Sequence, residues 1–191
     1  VVAVDMMADL KTGGALMGVL ASAYFYPYAL MQIPAGLLSD SWGPRRSIVF
    51  FFTIGAAGSI ALALAHTVET AIAARVFVGL GVAMIFIPTL KILTHWFERD
   101  RYVQMSGLLM SLGGVGAFTA STPLALMSDA ITWRGSMIVI GILTLILSGL
   151  VWLLVRDTPE QAGFPPINPC APDRCEEREI GLIHGIIMVL K

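Results

Sequence analysis

Charge is what this sequence most lacks. Of its 191 residues, 13% are charged and 57% are hydrophobic. A soluble domain carries about 25% charged residues to keep a solvated surface. Half that leaves too little polar material to cover a globule in water. Cysteine is nearly absent: Cys170 and Cys175 stand alone in a short stretch and read as incidental thiols rather than a disulfide or metal pair. His66 and His184 have no ligand spacing, so no metal site is expected. No G-x-x-x-x-G-K-[ST] loop occurs, which removes ATP-driven machinery. Ser, His and Asp are scattered rather than gathered into a catalytic constellation, so neither an enzyme nor a bound cofactor is expected. A net charge of −1 without a basic stripe argues against nucleic acid as a partner.

The charges that exist are bunched. Residues 12–39, 47–67, 102–128 and 135–155 carry none, and a shorter run, 76–90, is flanked by Arg75 and Lys91. A helix needs about 20 mainly apolar residues to cross a bilayer. Four runs satisfy this outright, and the fifth does if Arg75 or Lys91 snorkels or faces a cavity. Apolar residues surround each helix on every side, the pattern of a lipid environment rather than of an amphipathic bundle. The sequence predicts an all-α, polytopic transmembrane helical bundle over residues 1–155, with spans near 14–38, 47–66, 70–93, 102–127 and 134–155. Residues 156–179, rich in Pro, Asp and Glu, read as a linker. The apolar run 180–191 reads as the truncated start of another span, with an interfacial segment as the alternative.

Loops alternate sides, so basic residues can be counted by side. Arg45, Arg46, Lys91, Arg99, Arg101, Arg156, Arg174 and Arg178 fall on one side; Lys11, Arg75 and Arg134 fall on the other. The richer side is expected to be cytoplasmic, placing loops 39–46, 94–101 and 156–179 there. Val1 then lies outside. With no initiator Met and no signal peptide, the chain is expected to be a fragment that lacks an upstream helix.

The turn between the first two complete spans, GLLSDSWGPRRS, residues 36–47, gathers one aspartate, a Gly-Pro pair and two adjacent arginines. Gly36 permits close helix approach, Asp40 ends an apolar run and Trp42 suits the interface. Gly43-Pro44 turns the chain, and Arg45 and Arg46 anchor the next helix. The spacing of Gly36, Asp40, Gly43, Arg45 and Arg46 resembles the loop between helices two and three of the major facilitator superfamily, with Ser41 where a basic residue is usual. Arg75-Val-Phe-Val-Gly79-Leu-Gly81 is similar to the R-x-x-x-G-x-G of the superfamily's fourth helix. His95 to Arg101 followed by Gly107, and Asp157-Thr-Pro-Glu-Gln-Ala-Gly163, are similar to its loop 4/5 and to its exit from helix six. The resemblance implies a partial major facilitator fold, helices two to six of a twelve-helix carrier plus the start of helix seven. It also implies a cytoplasmic loop that latches the two halves of the carrier.

Within the spans, small residues at four-residue spacing read as packing positions: Gly14, Gly18 and Ser22; Gly55, Ser59 and Ala63; Gly113, Ala117 and Ser121. Gly79, Gly81 and Gly114 join them. Pro34, Pro88 and Pro123 are expected to kink their helices. An ionisable residue inside a span is costly and marks function unless it snorkels. Arg75 is therefore the first candidate for a substrate or proton pathway, and Lys91, on nearly the opposite face of a straight helix, is a weaker one. Gln32 either bonds across a helix pair or touches substrate. Tyr24 and Tyr28 share a face and either pack or stack on a solute.

The resemblance implies a secondary active transporter working by alternating access, with a proton as the expected coupling ion; if Arg75 or Lys91 meets the substrate, an organic anion is expected. An efflux carrier for drugs or metabolites is the alternative within transport; a non-transporting receptor or scaffold is the alternative outside it. The expected setting is a bacterial inner membrane, with membrane lipids, a small-molecule substrate and the missing C-terminal half of the same carrier as partners.

Overall fold

The computed structural model describes residues 2–165. The end of the linker and the run 180–191, with Cys170, Cys175 and His184, lie outside the described residues. Among those described there is no strand, and seven α-helices follow one another: α1 (Val2–Asp9), α2 (Gly14–Ser22), α3 (Phe25–Trp42), α4 (Pro44–Ala63), α5 (Val68–Ala83), α6 (Phe86–Trp96) and α7 (Arg99–Leu154). A short 3-10 helix, Pro159–Ala162, follows.

Four stretches are long and apolar enough to cross a membrane: Gly14–Trp42, Pro44–Ala63, Val68–Trp96 and Arg99–Leu154. Two of them are broken, at places the prolines choose. A proline cannot donate to the carbonyl four residues back, and its ring crowds that carbonyl. Pro27 acts on Ala23, where α2 gives way to α3; Pro88 acts on Met84, where α5 gives way to α6. Pro34 and Pro123, by contrast, lie inside α3 and α7, which run on through them.

α7 has 56 residues, which would measure about 84 Å if straight, far beyond a hydrocarbon core of about 30 Å. It is divided at Ile131 and Thr132, whose backbones leave the helical region. Thr132 has φ +69°, a conformation that costs a non-glycine residue about 1–3 kcal/mol. Its hydroxyl accepts the Gly135 N–H at 3.4 Å, capping the second arm, 133–154, and offsetting part of that cost.

The second arm lies antiparallel to α4. Arg134 reaches the carbonyls of Ala63 and Ala65, Ser148 donates to the Val49 carbonyl, and the Asp157 carboxylate meets the Arg45 N–H. α4 and α5 touch through glycines. A methyl group on Gly58 would stand 2.8 Å from the Val78 nitrogen and 3.0 Å from the Ala74 carbonyl oxygen. One on Gly81 would stand 2.8 Å from the Phe51 carbonyl oxygen. Such backbone contact is what small residues permit where lipid offers no hydrophobic drive for association. The main apolar core joins Met6 of α1 and Leu10, just after it, to Leu20, Leu62, Ala71, Ala74, Trp133 and Met137.

The first arm of α7, 99–130, is mostly unpacked. Val103, Met110, Leu112, Val115 and Phe118 are exposed. A side chain added at Gly107, Gly113, Gly114 or Gly116 would meet no atom within 4 Å. The same is true of Gly14, Gly18 and Gly36.

Candidate functional site

Two places hold the polar groups singled out in the sequence. The first is a half-open cavity of about 450 Å³ lined by five helices. Ala3 and Met6 come from α1, Met17 and Leu20 from α2, Ser59 and Leu62 from α4, Arg75 and Val78 from α5, and Met137 from the second arm of α7. Its volume suits a small solute. Arg75 supplies its one charged lining group among the described residues. The Arg75 Nε is buried and has no hydrogen-bond partner among the described residues. A guanidinium nitrogen buried without a partner is costly. An anion placed against it would offset that cost.

The aromatic candidates lie beside this wall rather than in the lining. Tyr24 and Tyr28 stack on one another at 5.9 Å with 20° between their planes, and Phe25 meets Tyr24 edge-on at 5.1 Å. Gly79, one turn beyond Arg75, is where α5 meets this segment: its added methyl would stand 2.8 Å from Pro27. Gln32 donates to the carbonyl of Tyr28 at 3.4 Å, within its own helix, and not to a neighbouring one.

The second place is the end of the bundle where Trp42, Gly43 and Pro44 turn the chain from α3 into α4. Gly43 adopts φ +86°, which glycine takes without strain. α4 begins with no cap from its own N-cap side chain. The Asp157 carboxylate replaces one from the far end of α7, accepting the Arg45 N–H at 2.6 Å. An acidic group there also suits the positive end of the helix dipole. The Arg45 guanidinium stacks over Trp152 at 4.2 Å and donates to the Trp152 carbonyl. Arg46, its neighbour, is exposed.

α6 is fastened to the same point. His95 Nδ1 lies 3.1 Å from the Asp157 carbonyl, which can only accept, so this nitrogen carries the proton of that bond. Trp96 donates its indole N–H to the Arg156 carbonyl at 2.9 Å. Lys91 pairs with the Asp40 carboxylate and donates to the Ser39 carbonyl at 3.1 Å. Lys91 and Arg75 therefore serve different sites, separated by the break at Met84 and Ile85. Asp157, Trp152 and His95 were not among the residues singled out for the loop. The available signal was the Asp157-Thr-Pro-Glu exit itself, an acid one residue past an apolar run.

Residues 1–189 match the profile of the Major Facilitator Superfamily. The chain belongs to that superfamily. The Gly43-Pro44 turn and the cavity beside Arg75 are thus parts of a major facilitator bundle. With four stretches fit to cross a bilayer, this superfamily member is an integral, multi-pass membrane protein. The relatives it matches are named as transport proteins, not enzymes.

Among its relatives is a probable sulfoacetate transporter of Cupriavidus necator, 25% identical over 88% of this chain and 38% of the relative. A probable hexose phosphate transport protein of Chlamydia trachomatis is 24% identical over 85% of this chain and 36% of the relative. A drug efflux pump of Mycobacterium tuberculosis is 34% identical over 70% of this chain and 26% of the pump. The chain thus spans less than two fifths of the length of these relatives.

Proposed function

We propose that the chain is part of a secondary active transporter that moves a small organic anion by alternating access. One observation carries this reading: a buried Arg75 Nε, without a hydrogen-bond partner among the described residues, on the wall of a cavity large enough for a small solute. A fixed positive charge in an otherwise apolar wall selects for an anionic head group, because a cation there would be repelled and a neutral solute would leave the guanidinium unpaired. Relatives named for sulfoacetate, hexose phosphate and hexuronate transport, all anions, support the same solute class. No P-loop is present, so the work of pumping falls to an ion gradient, for which a proton is the proposed coupling ion. Tyr24, Tyr28, Gln32 and Lys91 are secondary here, since Lys91 has a carboxylate partner of its own.

Alternating access places the solute between two helical halves that rock about it. The loop with Gly36, Asp40, Gly43, Arg45 and Arg46 is proposed to latch one end, on the cytoplasmic side of a bacterial plasma membrane. Loops 94–101 and 156–179 share that side, as the bias in basic residues supports. The remaining half of the cavity is proposed to come from a C-terminal half of the same carrier. The 34% identity to a drug efflux pump and the apolar remainder of the lining support a second reading, export of an apolar solute. Uptake of radiolabelled organic anions into proteoliposomes tests the first reading against the second. Saturable uptake competed by other anions, and lost with Arg75→Gln, supports it; accumulation of neutral or cationic drugs that ignores Arg75→Gln replaces it with the second.

A further inference from the structure

Ser59 lines the Arg75 cavity, and the transport reading gives it no part. In the sequence it belongs to a stripe of small packing residues, Gly55, Ser59 and Ala63. The other two do pack. A methyl group on Gly55 would stand 3.2 Å from the Gly81 Cα, and Ala63 is buried in the main core. Ser59 instead meets the cavity.

Its hydroxyl behaves unlike those of its own helix. Ser and Thr inside helices commonly donate to the carbonyl four residues back. Ser47 and Thr53 of α4 do so, to Gly43 at 2.9 Å and to Val49 at 2.8 Å. Ser59 is 8% exposed, yet it makes no hydrogen bond among the described residues. A buried hydroxyl in this condition is costly until an acceptor enters the cavity.

Register brings this hydroxyl beside the guanidinium. α4 and α5 touch at Gly58, whose added methyl would stand 3.0 Å from the Ala74 carbonyl oxygen. Ser59 and Arg75 are the next residues on the two helices. Because α4 and α5 run antiparallel, a step of one residue, about 100°, turns both to the same side of that contact. Ser59 and Leu62 share a face of α4, as Arg75 and Val78 share one of α5, and all four line the cavity. Apart from Ser59 and Arg75, the lining residues are all apolar. The wall therefore offers one guanidinium fork and one hydroxyl, side by side.

We propose that Ser59 is a second binding residue of this site: the Arg75 fork takes two oxygens of the solute's anionic head, and the Ser59 hydroxyl donates to a third. An arginine fork pairs naturally with two oxygens, so a carboxylate is satisfied by Arg75 alone and leaves Ser59 idle. A head with three terminal oxygens, a sulfonate or a phosphate monoester, engages both. This rests on the reading of the cavity as the anion's site.

The test is binding of ethanesulfonate and of propionate, equal in charge and in their ethyl tail, to the full chain in detergent by isothermal titration. Ser59→Ala should weaken ethanesulfonate by about tenfold or more, as expected for a lost hydrogen bond to a charged group, and propionate by less than about twofold. Should Ser59→Ala fail to fold, Ser59→Cys, close in size and a poor donor, carries the same expectation. Arg75→Gln should weaken both probes. Equal weakening of the two by the Ser59 variants, or none, with Arg75→Gln still weakening both, would overturn the proposal and leave the anion reading standing. Binding of both probes that ignores Arg75→Gln, or binding of neither by the parent, would remove the anion reading and this inference with it.

Discussion

Replacing Asp157 should weaken the start of α4 in a graded way. Its carboxylate is the cap that α4 lacks locally, 2.6 Å from the Arg45 N–H and 112 residues away in sequence. Loss of a capping oxygen costs about 0.5–2 kcal/mol, and loss of a negative charge beside a helix N-terminus about 0.3–1 kcal/mol. Asp157→Ala loses both, for a total near 2 kcal/mol; Asp157→Asn keeps an oxygen and loses only the charge. For a chain of this length a destabilisation of 1 kcal/mol shifts the melting temperature by about 2–4 °C. Asp157→Ala should therefore melt about 4–8 °C lower than the parent in detergent at a fixed scan rate, and Asp157→Asn less than about 4 °C lower. A methyl on Gly43 would stand 3.1 Å from Asp157 Oδ2 and be strained at φ +86° besides. Gly43→Ala should thus cost less in the Asp157→Ala background than in the parent, a coupling that a double-mutant cycle reads directly. Equal melting of all three Asp157 forms, or strictly additive effects with Gly43→Ala, would refute the through-space cap.

Two further outcomes follow from packing and charge. Gly58→Ala puts a methyl group against two backbone atoms and Phe77, and overpacking of this kind costs about 1–3 kcal/mol. Gly107→Ala, with no described atom nearby, should melt no lower than the parent; equal losses at the two glycines would contradict the packing at α4 and α5. Lys91→Gln breaks a pair whose Asp40 side chain is 67% exposed, so it should cost no more than about 1 kcal/mol. The parent's advantage over it should shrink in high salt; a loss several times larger, indifferent to salt, would mean that the pair is effectively buried.

The all-helical membrane class was legible because lipid imposes it: charge-free runs of the right length leave few alternatives. The Gly43-Pro44 turn was legible too, since a turn is written in adjacent residues. The partners of those residues were not. Asp157 meets Arg45 across 112 positions and Arg134 meets Asp9 across 125; local spacing carries no record of which distant chain end folds back to a helix terminus. The helix breaks were half legible. A proline inside an apolar run announces a disturbance, yet Pro88 ends a helix while Pro34 and Pro123 do not, because the outcome depends on what the neighbouring backbone can still bond. Pro27 was passed over in favour of the tyrosines around it, although Ala23, four residues earlier, is where α2 stops. Arg75 stood out as a charge in an apolar run, but that its Nε would be left without a partner beside a cavity needed five helices to be in place.

The central claim is that Arg75 meets an anion, and flux measures it most directly. The carrier and its Arg75→Gln and Arg75→Lys variants would be reconstituted at equal density, and initial uptake of a panel of small carboxylates, sulfonates and sugar phosphates measured below saturation. A charge-assisted hydrogen bond is worth about 1.5–3 kcal/mol, so uptake of the true substrate should fall by about 10- to 150-fold in Arg75→Gln, and by less in Arg75→Lys. Undiminished uptake of an anion by Arg75→Gln, with protein still folded and inserted, would contradict the account.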